Sequence, residues 1–161
     1  MPALFPYSES QSHELMGLAL CEALQAATRG DVPVGCIITR GDDIIATGFN
    51  RRQSACDPTA HAEIVALREA SAQLGTWYLN DCWMFVTLEP CPMCAGALVN
   101  ARLAGVVYGA ADGKAGACHT LYQIPEDRRL NHTLTVIRGI RADECGNLLT
   151  NWFKKLRSVR R

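Results

Sequence analysis

The stretches His61-Ala62-Glu63 and Pro90-Cys91-Pro92-Met93-Cys94 decide how the fold and the chemistry of this sequence are interpreted. Together they offer one imidazole and two thiolates, one ligand fewer than tetrahedral zinc requires. Structural zinc sites usually close with four protein ligands, whereas catalytic sites leave the fourth position to water. His61, Cys91 and Cys94 are therefore predicted to hold one Zn²⁺ ion with an open coordination position.

Glu63 stands two residues after the predicted ligand His61. A carboxyl group beside an open zinc position can take a proton from the attacking water and return it to the substrate. If Glu63 were itself a zinc ligand, both the open position and this proton transfer would be lost. Glu63 is therefore predicted to be the catalytic acid–base, and the two motifs together predict zinc-dependent hydrolysis.

Helix-start signals place both motifs at the beginning of helices: Asp57-Pro58 precedes His61, and Pro90 ends the strand before Cys91 and Cys94. Ser8 and Gln11 predict a capping box for the first helix, and Asp57-Pro58 predicts the beginning of the second. Alternating strands and helices after a hairpin predict an α/β fold, with a mixed sheet and helices on its faces. The predicted elements are a helix over 8–28, strands over 34–40 and 44–50, a helix over about 57–74, a strand over 82–88, a helix over about 92–102, strands over 106–109 and 134–138, and a helix over about 142–157.

In this arrangement His61 lies in the first turn of the second helix, and Cys91 and Cys94 lie at the first turn of the third. Helix N-termini carry unpaired N–H groups and the positive end of the helix dipole, and both favour a thiolate over a thiol. The ligand pattern and the predicted helices therefore support each other.

Length and composition exclude several classes of protein. The 161 residues suit one domain, predicted to span residues 1–161, and the eight cysteines are too sparse for a small disulfide scaffold. No apolar run approaches the roughly 20 residues of a membrane span, so no membrane partner is expected. The N-terminus lacks the features of a signal peptide, which predicts a cytoplasmic protein with reduced thiols.

A Cys-x-x-Cys pair by itself is ambiguous. A redox pair also follows a strand, but that interpretation leaves His61-Ala62-Glu63 unexplained. A structural zinc site needs a fourth ligand, and the sequence offers Cys56, Cys118, His119 and His132 as donors. On the motifs alone, the structural-zinc alternative stays open.

The segments 57–63 (DPTAHAE) and 87–97 (TLEPCPMCAGA) resemble the zinc deaminase superfamily of cytidine-deaminase fold. The resemblance runs from about Glu14 to Arg157, and Cys36 and Cys118-His119 depart from the small residues usual in it. Further segments narrow it to the bacterial tRNA-specific adenosine deaminases: Asp31-Val32-Pro33-Val34-Gly35, Gly48-Phe49-Asn50-Arg51, Gly109-Ala110, Lys114-Ala115-Gly116-Ala117, Asn131-His132 and Ala142-Asp143-Glu144-Cys145.

This resemblance implies a three-layer, cytidine deaminase-like fold whose mixed five-stranded sheet has helices on both faces. It implies conversion of adenosine to inosine at the wobble position of an arginine tRNA anticodon. The implied partners are a tRNA anticodon stem-loop and a second copy of the chain in a homodimer. The implied cofactor is zinc held by His61, Cys91 and Cys94, with Glu63 as the proton shuttle.

The resemblance also implies substrate contacts. Asn50 matches an asparagine that hydrogen-bonds the target nucleoside, Val34 matches a residue of the base pocket, and the Ala62 backbone N–H is expected to contact the base. Trp152 and Phe153 match an aromatic pair near the splayed anticodon bases, where stacking is the usual means of recognition. Packing of this pair against the core is the alternative.

Two rival functions stay open. A deaminase of a free base or nucleotide, such as guanine or cytosine, needs neither Arg51-Arg52 nor the aromatic pair nor the basic end 154–161, which has five cations and no acid. That basic end suits a polyanion but is also typical of a solvated terminus. A non-catalytic nucleic-acid-binding module with structural zinc has no use for Glu63.

Overall fold

The structure is a computed structural model that describes residues 3–159. Its helices and strands confirm the predicted α/β class and the predicted element order. In chain order they are α1 (Glu9–Thr28), β1 (Gly35–Arg40), β2 (Asp43–Phe49), α2 (Ala62–Leu74), β3 (Cys82–Leu88), α3 (Pro92–Asn100), β4 (Gly105–Ala110), a short 3-10 helix (Ile124–Glu126), β5 (Thr135–Arg138) and α4 (Ala142–Val159).

The strands form a mixed five-stranded sheet in the order β2-β1-β3-β4-β5. β1 pairs antiparallel with both β2 and β3, whereas β3, β4 and β5 run parallel. β2, β3 and β4 therefore end at the same edge of the sheet. α2, α3 and the loop after β4 all begin at this edge, which is where α/β folds usually bind their ligands.

Apolar side chains cover both faces of the sheet, which confirms the three-layer arrangement. On β1, Ile37 belongs to the core cluster shared with α1 and α4, while Cys36 and Ile38 belong to the cluster shared with α2 and α3. This alternation follows from the two-residue period of a strand. Within residues 3–159, no helix is both long enough and apolar enough to cross a membrane.

The capping box predicted for α1 is confirmed. The Gln11 N–H donates to Ser8 Oγ at 3.2 Å, and the Ser8 N–H donates to Gln11 Oε1 at 2.9 Å. Two N–H groups that the first turn leaves unpaired are thereby satisfied, which fixes the beginning of the helix.

The predicted beginning of α2 is wrong. The Asp57 carboxylate accepts the Thr59 N–H at 2.8 Å and the Thr59 hydroxyl at 2.7 Å. The Ala60 N–H donates to the Asp57 carbonyl at 3.2 Å, so these bonds close a single turn that does not continue as a helix. α2 begins only at Ala62, and His61 is its N-cap with extended backbone angles (φ −67°, ψ 153°). His61 therefore lies just before the first turn rather than within it.

Candidate active site

The structure brings the three predicted ligands together at the carboxyl edge of the sheet. The ligand atoms of His61, Cys91 and Cys94 all lie within 4.8 Å of one another. His61 Nδ1 is 3.6 Å from Cys91 Sγ and 3.5 Å from Cys94 Sγ. Tetrahedral zinc, with Zn–N of about 2.05 Å and Zn–S of about 2.3 Å, requires an N···S separation of about 3.6 Å. The observed distances therefore fit a zinc ion.

The group has three protein ligands, as a catalytic zinc site requires. Across the described residues, no further histidine, cysteine or carboxylate joins the group as a fourth ligand. Of the candidates for a closed site, His132 hydrogen-bonds through Nε2 to the Leu103 carbonyl at 2.7 Å. Cys118 is fully buried and is not part of the group. The closed structural-zinc alternative thus lacks its fourth ligand in residues 3–159.

Two of the ligands occupy helix N-caps. His61 caps α2 and Cys91 caps α3, and neither side chain makes the hydrogen bond that an N-cap residue usually accepts. Both side chains turn instead towards each other. Pro92 begins α3, where its fixed φ suits a helix and its missing N–H costs nothing. Cys94 follows within the same first turn, which brings its sulfur to the same side.

Within the cluster, the pKa values of the two thiols move in opposite directions. A hydrogen bond with Cys94 lowers the pKa of the Cys91 thiol to about 4. The same hydrogen bond, with burial, raises the pKa of Cys94 far above its usual range. The hydrogen bond with Cys91 raises the pKa of His61 as well. Since a second thiolate beside the first needs a positive charge, the donor set suits a divalent cation.

Glu63 lies in the first turn of α2 and is only 4% exposed. Burial raises the pKa of its carboxyl group to about 7. A carboxyl group that titrates near neutral pH can both accept and return a proton there. The arrangement therefore supplies an acid–base group next to the ligand cluster.

A cavity of about 230 Å³ opens beside the cluster. The predicted substrate contacts Val34, Asn50 and Ala62 lie in its lining. Asn50 Nδ2 donates to the Val32 carbonyl at 3.2 Å, and its Oδ1 accepts the Arg52 N–H at 3.1 Å. These two bonds fix the orientation of the Asn50 amide within the cavity.

Two close contacts fix the beginning of α2 on the sheet. A Cβ at Gly48 would lie 2.3 Å from the Ala62 carbonyl oxygen, so a larger residue there would push the helix away. Cys36 Sγ donates to the same oxygen at 3.1 Å. Burial raises the pKa of Cys36 well above its usual value, which keeps the thiol neutral and able to donate. Cys36 thus anchors the helix that carries Glu63.

The cavity lining also contains residues to which the sequence analysis gave no role in the site, among them Glu89, Asp112 and Ala115. Glu89 directly precedes the Pro90-Cys91 pair, which places it near the cluster but assigns no role to its carboxylate. Asp112 and Ala115 belong to the loop after β4, and their place in the cavity depends on the strand order. Local sequence therefore gave no signal for them.

Phe153 is not among the described residues that line the cavity. It lies on α4, is 39% exposed, and packs edge-on against Trp152 with 5.0 Å between ring centroids. The basic end that follows is exposed at Lys154 and Lys155, and its last two residues, 160 and 161, lie outside the described residues.

Comparisons with known proteins agree with this geometry. Residues 9–110 match the family model of the cytidine and deoxycytidylate deaminase zinc-binding region. The tRNA-specific adenosine deaminase of Streptococcus pyogenes serotype M18 (strain MGAS8232) is 41% identical over 150 residues, covering 93% of this chain and 94% of that protein.

Two kinds of deaminase are among the solved structures that resemble this chain. A structure from a study of A-to-I editing by tRNA:A34 deaminases matches with a TM-score of 0.81 and 38% identity, covering 84% of this chain and 99% of that one. The guanine deaminase of Bacillus subtilis matches with a TM-score of 0.58 and 39% identity, covering 61% of this chain and 63% of that one. The cytidine deaminase-like fold is thereby confirmed.

The matched family model and the His/Cys/Cys group identify zinc as the cofactor. The protein is accordingly an enzyme that acts on C–N bonds, which excludes a non-catalytic binding module. From the matched model and the extent of the identity, the chain belongs to the zinc-dependent deaminase family of the bacterial tRNA-specific adenosine deaminases.

Proposed function

We propose that the protein hydrolytically deaminates adenosine to inosine at the wobble position of a tRNA anticodon, with an arginine tRNA as the expected substrate. The observation that carries the proposal is a three-ligand metal group beside a buried carboxyl group at one cavity. The choice of substrate is supported by the 41% identical relative, which is named a tRNA-specific adenosine deaminase.

His61, Cys91 and Cys94 would hold the zinc ion. Zinc supplies a Lewis acid that makes water a nucleophile near neutral pH. Glu63 takes a proton from the attacking water, delivers it to the ring nitrogen, and then transfers a proton to the departing amino group, which leaves as ammonia. The pKa of Glu63 near 7 suits this cycle, because the same carboxyl group must gain and lose a proton in every turnover.

The substrate contacts follow from the lining of the cavity. Asn50 is oriented by its bonds to the backbone and can hydrogen-bond the nucleoside. Val34 offers an apolar surface to the base, and the Ala62 N–H at the beginning of α2 is placed to contact the base. A cavity of about 230 Å³ suits a base unstacked from a loop, as deaminases of this type require.

The guanine-deaminase alternative is disfavoured by the identity and the extent of the match taken together. The Bacillus subtilis guanine deaminase is 39% identical but covers 61% of this chain, and the Nitrosomonas europaea guanine deaminase covers 94% at only 24% identity. The relative from Streptococcus pyogenes is 41% identical over 93% of this chain. Arg51 and Arg52 are also exposed beside the cavity, where a free base offers them no phosphate. Such cations at the entrance suit a nucleic acid backbone.

A homodimer is part of this proposal. A groove between α2 and α3 is lined by Ile64, Leu67, Trp77 and Ala97, and Trp77 is 63% exposed. An exposed apolar groove of this kind is typical of a protein interface. Sedimentation equilibrium tests it: Trp77→Ser is expected to shift the population towards the monomer, and a wild-type monomer at all concentrations would contradict it.

The compartment and the domain organisation complete the proposal. None of the eight cysteines, all of which lie within residues 3–159, forms a disulfide, as is usual in the reducing cytoplasm, and a tRNA substrate is found in that compartment. Residues 1–161 are proposed to act as one deaminase domain, because both core clusters flank the same sheet.

Inosine formation by the purified zinc-loaded protein tests the function. An anticodon stem-loop with adenosine at the wobble position is expected to yield inosine and ammonia, and the same stem-loop with guanosine there is the matched control. Free guanine, cytosine and adenosine are assayed in parallel. Turnover of a free base at the rate of the stem-loop, or no inosine in the stem-loop, would contradict the proposal.

A further inference from the structure

One buried carboxylate holds both ends of the 111–120 loop that follows β4. Glu89 is 1% exposed and lies just after β3. Its Oε1 atom accepts three consecutive backbone N–H groups: Cys118 at 3.2 Å, His119 at 2.8 Å and Thr120 at 2.9 Å. Consecutive N–H groups that converge in this way form an anion-binding concavity, and here a carboxylate of the same chain fills it.

The second oxygen of Glu89 holds the beginning of the loop. Oε2 accepts the Asp112 N–H at 3.0 Å and also the Thr120 hydroxyl. The backbone adds a further bond across the same gap, from the Ala117 N–H to the Pro90 carbonyl at 2.9 Å. The two ends of the loop are therefore fixed to the segment that leads into Cys91.

Gly116 shows how closely the loop packs on this carboxylate. A Cβ added there would lie 2.3 Å from Glu89 Oε2 and 2.5 Å from the Asp112 carbonyl oxygen. A side chain at position 116 would therefore separate the loop from Glu89. This contact is independent of the hydrogen bonds and indicates the same fixed arrangement.

The loop forms part of the cavity. Asp112 and Ala115 lie in the lining, together with Asn50. The two oxygens of Glu89 already accept five hydrogen bonds, which is more than the roughly four lone-pair positions of a carboxylate. Glu89 thus has no acceptor capacity left for a substrate and can act only through the loop.

We propose that Glu89 is a positioning residue, which fixes the 111–120 loop as the substrate-facing side of the cavity. The inference rests on the proposed function, since it assigns the nucleotide to that cavity. A loop fixed before binding costs no ordering when the substrate arrives. Without the Glu89 carboxylate the loop is expected to lose this preorganisation, while zinc and Glu63 stay in place on α2 and α3.

Glu89→Gln is the first test, because glutamine keeps the shape but replaces one acceptor oxygen with a donor. In the zinc-loaded enzyme, KM for the anticodon stem-loop is expected to rise about tenfold or more, with zinc per chain unchanged. Asp127→Asn removes a carboxylate outside the loop, next to Arg129, and is expected to leave KM unchanged. If Glu89→Gln lowers the apparent kcat but leaves KM unchanged, the variant has only lost folded enzyme. That result would overturn the proposal.

Thr120 provides a matched pair of variants that spares Glu89. Thr120→Val removes the hydroxyl with little change of shape and is expected to raise KM, whereas Thr120→Ser keeps the hydroxyl and is expected to retain the wild-type KM. If Glu89→Gln fails to fold, this pair decides the question. Equal KM values for the two variants would overturn the proposal.

Amide hydrogen exchange without RNA separates this inference from the proposed function. Glu89→Gln is expected to increase exchange at Asp112, Cys118, His119 and Thr120, while the amides of α2 stay protected. Unchanged exchange at those four amides would overturn the positioning role. Wild-type enzyme that leaves the stem-loop unmodified would instead contradict the proposed function, whatever the exchange shows.

Discussion

At the beginning of α2 and α3 the functional side chains are buried or half-buried among fixed neighbours, whereas at the end of α4 they are largely exposed. Cys94 and Glu63 are 0% and 4% exposed, while Phe153 is 39% exposed. Charges in a water-excluded site interact far more strongly than exposed charges do. The comparison therefore predicts large, all-or-none effects for the first region and graded effects for the second.

The largest effect is expected when a ligand in the buried region is removed. Cys94→Ala leaves two protein ligands, so zinc per chain is expected to fall from about one to near zero with loss of activity. Because metal binding is coupled to folding, the melting temperature should fall as well. Elemental analysis and thermal unfolding provide the measurements. Cys21→Ala changes an exposed cysteine and serves as the control; full zinc content in Cys94→Ala would contradict the ligand assignment.

Glu63→Gln tests whether the buried carboxyl group moves protons rather than binding metal. Glutamine keeps the shape and the burial but cannot accept and return a proton, so kcat is expected to fall about 10²–10⁴-fold. Zinc content and affinity for the stem-loop should remain near those of wild type. Single-turnover kinetics and elemental analysis separate the two roles. A variant that loses zinc would show that Glu63 ligates the metal.

The protonation of the ligand cluster predicts a pH-dependent zinc affinity. The pKa of Cys94 is raised far above its usual range, so near neutral pH the free site holds a proton that zinc must displace. The pKa of Cys91 is about 4, so this thiol is already ionised and adds no pH dependence there. Affinity should therefore rise with pH between 6 and 8, by about tenfold per unit for each displaced proton.

Competition with a chelator at several pH values measures this slope. Affinity that is independent of pH over that range would show that both sulfurs are already thiolates in the free protein. A pH-dependent affinity would also distinguish the buried region from the end of α4. Proton release on zinc binding requires ionisable ligands in contact with one another, as His61, Cys91 and Cys94 are.

The two regions also differ in what the sequence could predict. Zinc chemistry limits residue type and spacing, so the sequence alone predicted that His61, Cys91 and Cys94 would group together, and the alternation of strands and helices predicted the mixed sheet. The predicted beginning of α2 was wrong because the Asp57-Pro58 segment closes a single turn that ends at Ala60 and does not continue as a helix. Aspartate followed by proline is compatible with both outcomes.

Glu89 could not be assigned from the sequence for a different reason. Four of its five donors are backbone N–H groups at positions 112 and 118–120, and backbone groups leave no trace in residue identity. Only the parallel pairing of β3 with β4 brings them to this carboxylate. The role of Phe153 could not be predicted for another reason. An exposed aromatic side chain on a helix suits base stacking and side-chain packing equally, and the RNA that would decide between them is not part of the chain.

Phe153→Ala measures the exposed region directly. If an anticodon base stacks on the ring, the variant should bind the stem-loop about 1–3 kcal/mol more weakly, with zinc content unchanged. Phe153→Tyr keeps an aromatic face and is expected to bind as wild type does. Fluorescence anisotropy with labelled stem-loop gives the affinities. Equal affinity for all three proteins would leave the ring as a packing partner of Trp152.

The smallest effect is expected from the cations at the end of α4. Lys154, Lys155 and Arg157 are exposed there, so replacing all three with glutamine should preserve the helix and its half-buried Leu156. Each phosphate contact that is lost should reduce the slope of log affinity against log salt by about 0.7–0.9. Affinity should fall modestly at low salt and converge with wild type at high salt. Arg128→Gln removes an exposed cation elsewhere and should leave the slope unchanged; an identical slope in the triple variant would show that the end of α4 is a solvated terminus.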